Sequence, residues 1–347
     1  MKRTIKNNLK RLGTITLAAV LGTSVLAGCG SKSGSTQAGY DKKNTIRVAV
    51  MTGQPDQYQI FIGQQQGIFE KYGLNIETTE YAYGINTIDA VVNGTADTGE
   101  MADFAAVNRI GNSDGKTDLV IFSESAVDEP KTGGLYVAPE YADDPGELVN
   151  SKGIVTSVGT VSEYYAWQAL DYLGIDPEKI KYVNTDSEQT TLALINKGDA
   201  AAVVGYGAQK QYYEDAGWEL VASAQDIGIN TGSYLLTTKN FNEANEKNLA
   251  DYLKALQEST DYINEHLDET AAAVEKKFGV KAENFKADWQ AKTLRVGFTE
   301  EGAAHLEEIA DWAYTHDKYD KEFNVRNYID VTAAKQYDPA SVTISGK

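Results

Sequence analysis

Three short segments of this chain combine residues able to hold a small charged guest: Gln54-Pro55-Asp56-Gln57, Tyr83-Gly84-Ile85-Asn86 and Gly159-Thr160-Val161-Ser162. Each stands where a strand-like run gives way to a helix-like one. A helix start leaves several backbone N–H groups without partners and adds the positive end of the helix dipole. Such a start can hold a carboxylate, sulfonate or nitrate without any lysine or arginine. Small Gly84 and Gly159 let a ligand approach the backbone, and the hydroxyls of Thr160 and Ser162 add hydrogen bonds. The spacing Thr160-x-x-Glu163 also fits a capping box, which would turn Glu163 back onto its own helix. A fourth segment, Gly99-Glu100-Met101-Ala102-Asp103-Phe104, contributes two carboxylates. Either could pair with an ammonium, as in an aminosulfonate or a cationic aminopyrimidine; Asp103 could equally cap a helix running to Ile110. Among 21 tyrosines, Tyr83, Tyr206 and Tyr234 stand nearest the loop ends and are the aromatic candidates.

The elements around these segments follow from periodicity. Ile46–Met51 alternates and carries β-branched residues, so it reads as a strand. An amphipathic helix follows from about 57 to 72, closed by Gly73. Leu74–Tyr81 is the next strand, 86–93 a helix closed by Gly94, and 97–101 a short strand. The same order recurs in a strand at 154–158, a helix from Gly159-Thr160 to Leu173 closed by Gly174, a strand at 180–183, a helix at 188–196 before Gly198, and a strand at 200–204. The inter-glycine spacings are 21 and 24 residues. Alternating strands and helices build parallel sheets through right-handed crossovers. Two such units argue for two doubly wound α/β lobes; one larger doubly wound sheet is the alternative. Leu119–Ser123, Gly134–Ala138 and Gly232–Thr238 are further strand candidates, the last returning to the first lobe. The remainder reads as helical, with apolar stripes at Leu249, Leu253 and Leu256 and at Leu306, Ile309 and Ala313. Lobe I is expected over 44–144 and 230–347, lobe II over 145–229, with crossings near 142–150 and 227–232.

The amino terminus has its own logic. A basic head (Lys2, Arg3, Lys6, Lys10, Arg11) precedes an apolar stretch from Leu12 to Leu26 and the run Leu26-Ala27-Gly28-Cys29, which holds the chain's single cysteine. The apolar stretch is short and interrupted, and a polar tether follows. This order resembles a bacterial lipoprotein export signal. The resemblance implies that residues 1–28 are removed, that Cys29 is acylated, and that 29–43 tether the protein to the outer face of the cytoplasmic membrane. Loss of the leader takes the net charge from −18 to about −23, a field that repels nucleic acid and anionic headgroups. With Cys29 in the anchor no disulfide is left, so the body relies on the burial that its 42% hydrophobic content supplies.

Four motifs in order are similar to landmarks of the solute-binding proteins for nitrate, sulfonate, taurine and thiamine-pyrimidine precursors. Gly67-Ile-Phe-Glu-Lys-Tyr-Gly-Leu-Asn-Ile-Glu77 resembles that family's G-x-F-x-x-x-G-L-x-V-E block, and Gly94-Thr-Ala-Asp97-Thr-Gly99 its G-x-x-D-x-G. Gly159-Thr160 and Lys197-Gly198-Asp199-Ala200 resemble its second-lobe landmarks. The resemblance implies a type II periplasmic-binding-protein fold, a ligand cleft between lobes, and delivery of solute to the permease and ATPase subunits of an ABC importer. It also places Glu100, Met101 and Asp103 on that cleft. The implied function is uptake of sulfonate-, taurine- or nitrate-like solutes by a monomer without cofactor; the alternative is a cationic heterocycle of the thiamine-pyrimidine type. The segment Val203-Val204-Gly205-Tyr206-Gly207 lacks the bulky or charged residue the family often carries there, which leaves the ligand class open.

Other chemistry is disfavoured. Gly111-Asn-Ser-Asp-Gly115-Lys116-Thr117 has three residues between its glycines where a phosphate loop needs four. His266, His305 and His316 lie in the helical tail without a His-Glu-x-x-His run, and no Gly-x-Ser-x-Gly elbow occurs. Asp143-Asp144 and Glu300-Glu301 read as solvated pairs rather than metal ligands. A surface hydrolase is the competing enzyme reading.

Overall fold

The computed structural model describes residues 44–345, apart from 82–83, 129–132, 186 and 207–208. The leader, Cys29, the tether and Tyr83 lie outside the described residues. Among the described residues, eleven strands form two sheets. The first has the order β11-β4-β10-β3-β1-β2, from β1 (Thr45–Met51), β2 (Asn75–Tyr81), β3 (Thr98–Ala102), β4 (Leu119–Asp128), β10 (Gly232–Thr238) and β11 (Lys292–Gly297). The second has the order β7-β6-β8-β5-β9, from β5 (Gly133–Val137), β6 (Ile154–Thr156), β7 (Tyr182–Asn184), β8 (Ala202–Tyr206) and β9 (Glu219–Ser223).

Both sheets are mixed, where strand–helix alternation led us to expect parallel ones. β1 runs parallel to β2 and β3, but β10 is antiparallel to β3 and β4. In the second sheet β6 is parallel to β7 and β8, while β5 is antiparallel to β8 and β9. The reason lies in the crossings. A strand of a βα unit ends at the edge where its helix begins, whereas β5 and β10 are each entered from the other sheet and therefore start at that edge. β5 pairs within the second sheet. Gly134–Ala138 falls in the 44–144 block of lobe I by sequence, yet its hydrogen bonds go to β8 and β9. β4 ends at Asp128 in the first sheet and β5 begins at Gly133 in the second, and β9 of the second sheet precedes β10 of the first.

Each sheet has its own core. Ile46, Val48, Ile121, Leu236, Leu253 and Leu306 are among the buried residues of the first. The second is covered on both faces: Leu135, Val137, Ile154 and Val204 pack on one side, Tyr136, Val155 and Val203 on the other. That two-sided burial explains near-continuous apolar strands. The expected 57–72 helix is broken: Pro55–Gln65 stops and Ile68–Lys71 restarts after Gly67, which takes φ 68°. A left-handed residue there ends the hydrogen-bond ladder. The expected all-helical remainder is interrupted by β11, a short edge strand on β4.

The motif aspartate Asp97 is structural. Its carboxylate accepts from the Arg47 amide at 2.8 Å and from Arg47 Nε and Nη2 at 3.1 and 2.5 Å, tying β3 to β1. Gly99 sits where a Cβ would meet the Ala49 carbonyl at 3.2 Å, tighter than an ordinary contact, so a side chain there needs the neighbouring strand to give.

Candidate functional site

The carboxyl ends of β1, β3 and β6 lead into the helices Pro55–Gln65, Asp103–Gly111 and Val161–Tyr172. In open α/β sheets ligands sit beyond such strand ends. The two sheets meet here. Asn108 Nδ2 reaches the Gly159 carbonyl at 3.4 Å. Lys318, from the loop after helix Glu300–Thr315, donates to Glu163 at 2.7 Å, both side chains being largely buried. Tyr164, on a helix that covers the second sheet, joins the first sheet's core, stacking on Phe104 at 5.5 Å and edge-on to Trp312 at 4.8 Å. Trp167 meets Trp312 and His316, and Lys318 Nζ lies 4.2 Å from its ring, a cation–π distance.

The Gly159 loop is closed on itself. Gly159 takes φ 81°, and its N–H donates to Glu163 Oε2 at 2.7 Å. Glu163 thus does turn back on its own helix, as the Thr160-x-x-Glu163 spacing suggests. It holds the loop with one oxygen and Lys318 with the other. Thr160 caps the helix, accepting from Ser162 N–H and donating to the Ser157 carbonyl. Ser162 Oγ and Tyr206 OH are hydrogen-bonded at 2.6 Å.

Asp103 is fully buried in the first turn of its helix. One oxygen accepts from Phe104 N–H; the other accepts from Gly232 N–H at 2.7 Å and contacts His305 Nε2 at 2.8 Å. Burial pulls the His305 imidazolium pKa down, but the hydrogen bond and charge of Asp103, with Glu308 and Glu124, outweigh it and leave the pKa raised. Asp103 therefore fastens the returning strand β10 to two helices. Tyr234 is core: its hydroxyl donates to the Gly302 carbonyl at 3.2 Å and its ring packs near Phe298. Met101 is also buried core.

Around β1 the pattern differs. Asp56 is 1% exposed and neither carboxylate oxygen has a hydrogen-bond partner. Burial, and next the charge of Glu100, push its pKa well above the carboxylate range, against the pull of the amides of Gln57, Met51 and Asp56 itself. Tyr252, on helix Glu246–Glu265, is fully buried with its hydroxyl unpartnered, and burial followed by the charges of Asp56 and Glu100 raises its pKa. Gln57 accepts from Gly53 N–H at 2.9 Å, and its amide nitrogen is unpartnered. Gln54 stands half-buried at the helix N-cap. Gly84 begins helix Gly84–Val92 with Met51 Sδ, the Met101 Cα and the Glu100 carbonyl 3.7–3.9 Å from its would-be Cβ. Ile85 is half-buried and Asn86 exposed.

The structure thus brings the Gln54–Gln57 and Gly84 segments and Glu100 to one region, and Gly159, Thr160, Ser162 and Tyr206 to another. Met101 and Tyr234 are buried in the first sheet's core, and Asp103 is hydrogen-bonded within it. Sequence reasoning passed over Tyr252, Trp312 and Lys318; Tyr252 lies within a helix whose apolar stripe gives no sign of an orphaned hydroxyl. Among the described residues no group of His, Cys, Asp and Glu could hold a metal, and no helix is long and apolar enough to cross a membrane.

The NMT1/THI5-like family profile matches residues 54–270. The solved alkanesulfonate-binding protein SsuA of Xanthomonas axonopodis pv. citri, bound to MOPS, superposes with a TM-score of 0.70 at 14% identity, covering 83% of this chain and 98% of that one. The nitrate-binding protein NrtA of Synechocystis PCC 6803 gives 0.68 at 13% identity, covering 86% and 89%. The aliphatic sulphonate-binding protein SsuA of Escherichia coli gives 0.67 at 18%, covering 82% and 97%. No curated protein matches by sequence. The fold is that of the periplasmic binding proteins, with two mixed α/β sheets.

Proposed function

The chain belongs to the NMT1/THI5-like family, and from that premise we propose that it is the extracytoplasmic solute-binding component of an ABC importer, held to the membrane through acylated Cys29. Lobe I, comprising the first sheet, and lobe II, comprising the second, would close on one small molecule. The solute would bridge them and favour the closed form by its differential affinity. The observation that carries this reading is the convergence of strand ends from both sheets at the seam where Asn108 meets Gly159 and Lys318 meets Glu163.

Of the solutes the family resemblance implies, those bearing a positive nitrogen fit best. Two helix starts at the carboxyl ends of strands already carry one of the chain's own carboxylates: Asp103 and, at Gly159 N–H, Glu163. Each offsets the dipole's attraction for an oxyanion. Taurine or an aminopyrimidine is therefore favoured over nitrate or a plain alkylsulfonate. A thermal-shift screen of these four classes tests the reading, since a ligand of the folded state raises the melting temperature. Stabilisation by an amino-bearing solute supports it; turnover of the compound would reassign the protein to a hydrolase.

A further inference from the structure

We propose that a groove beside β2, on the flank of the first sheet, is a second ligand site that takes a zwitterionic amino acid with an aliphatic side chain. The groove measures about 390 Å³, within the range of small-molecule pockets. Its lining comes from β1, β2, helix Pro55–Gln65 and the carboxyl end of helix Leu267–Phe278. Among the described residues, none from the second sheet lines it. The inference therefore goes beyond the interlobe reading: the amino acid is a further ligand, and holding it does not require the lobes to close.

Three kinds of group line the groove. Gln57 is 4% exposed; its Oε1 accepts from Gly53 N–H at 2.9 Å, which sets the orientation of the carboxamide. That leaves Nε2 buried without a partner. A buried donor left unpaired carries a desolvation penalty, and an acceptor brought into the groove removes it. Ile60 and Phe61, from the same helix, supply an apolar wall, with Phe278 edge-on to Phe61 at 5.1 Å. Glu80, from β2, and Lys277, from the helix end, supply opposite charges. Both are exposed, and they form no ion pair with each other or with any other described residue. Opposite charges standing apart along one groove match a ligand that carries both signs. The carboxylate of an amino acid would accept from Gln57 Nε2 and Lys277 Nζ, its ammonium would donate to Glu80, and its side chain would lie on Ile60 and Phe61. Such charge-assisted hydrogen bonds are the stronger kind. A water on Gln57 Nε2 is the competing explanation, and it predicts no stabilisation by any amino acid.

The test is a thermal-shift and calorimetric titration of the purified protein with leucine, leucinamide, isocaproate and glycine at millimolar concentration. Leucine should bind and raise the melting temperature. Leucinamide, which lacks the carboxylate, and isocaproate, which lacks the ammonium, should each bind about tenfold more weakly or worse. Glycine, with nothing to lay on the apolar wall, should also bind more weakly. Glu80→Gln and Lys277→Gln, at exposed positions, should each weaken leucine by about the same tenfold. Lys318→Met, at the seam between the sheets, should leave leucine affinity within about twofold, as expected for a distant, independent site. If leucine fails to bind, or binds unchanged to both groove variants, the inference fails. If Lys318→Met weakens leucine while the groove variants do not, leucine occupies the interlobe cleft, and the inference fails while the receptor reading stands.

Discussion

Lys318→Met is the perturbation that most directly probes how the two sheets are held together. The substitution keeps an apolar stem over the Trp167 ring, where Nζ lies 4.2 Å away, and deletes only the charge. At 2.7 Å the pair with Glu163 has a gross attraction of about 6 kcal/mol for an effective dielectric of about 20, much of it offset by desolvation of the two ions. Breaking a buried pair from one side costs about 3–5 kcal/mol. The partners here remain 15% and 11% exposed, and Gly159 N–H still holds the other oxygen of Glu163. We therefore expect a loss of about 2 kcal/mol, roughly thirty-fold in the closed-to-open ratio. Small-angle scattering of the ligand-free protein should show a larger radius of gyration, and the melting temperature should fall by about 3 °C for a domain of this size. Solute affinity should weaken by up to the same factor, because less of the protein is in the binding-competent form. An unchanged radius together with an unchanged melting temperature would refute the idea that this pair clasps the lobes.

Three further substitutions test other parts of the structure. Asp56→Asn should raise stability at neutral pH: the folded-state pKa is raised by burial, so the native state binds more protons above the ordinary aspartate value of about 3.9 and stability falls as pH rises. Melting curves between about pH 4 and 7 should slope downward in the wild type and flatten in the variant. His305→Gln tests the opposite sign. The raised histidine pKa means that its ion pair with Asp103 contributes fully below about pH 6.5 and is lost as pH rises through the folded value, so the variant should lose stability at low pH and differ little at high pH. Gly159→Val should destabilise by about 1–3 kcal/mol, because φ is 81° and a Cβ would approach Asn108 Nδ2 to 3.0 Å; chemical denaturation measures it, and a neutral result would mean that the loop relaxes freely.

Much of the architecture was legible because the hydrophobic period changes visibly from two to about 3.6 and back within each βα unit. Ile46–Met51, the helix at 188–196 and Gly232–Thr238 were placed to within a residue or so. What failed was long-range pairing. The apolar run at 133–137 declares itself a strand, but nothing local tells that its partners are β8 and β9 rather than β4. β9 and β11 were missed because they are edge strands with half-exposed residues, whose alternation is faint. At the seam, the turn of Glu163 toward Gly159 was readable from a three-residue spacing, whereas its partner Lys318 lies 155 residues away and gives no local signal. Asp103 could be read either as a cap or as a ligand. Its carboxylate binds the Phe104 N–H of its own first turn, the backbone of the returning strand and His305, and the last two partners are visible only once β10 is in place.

A crystal structure of the protein with its co-purified solute is the most direct test. We expect one small molecule between the two sheets, one end toward the carboxyl ends of β1 and β3 and the other toward the Gly159–Ser162 loop. Density for a solute lying instead in the groove of about 390 Å³ beside β2, lined by Gln57, Gln64, Thr78, Glu80, Lys277 and Phe278, with the seam unchanged, would contradict the account.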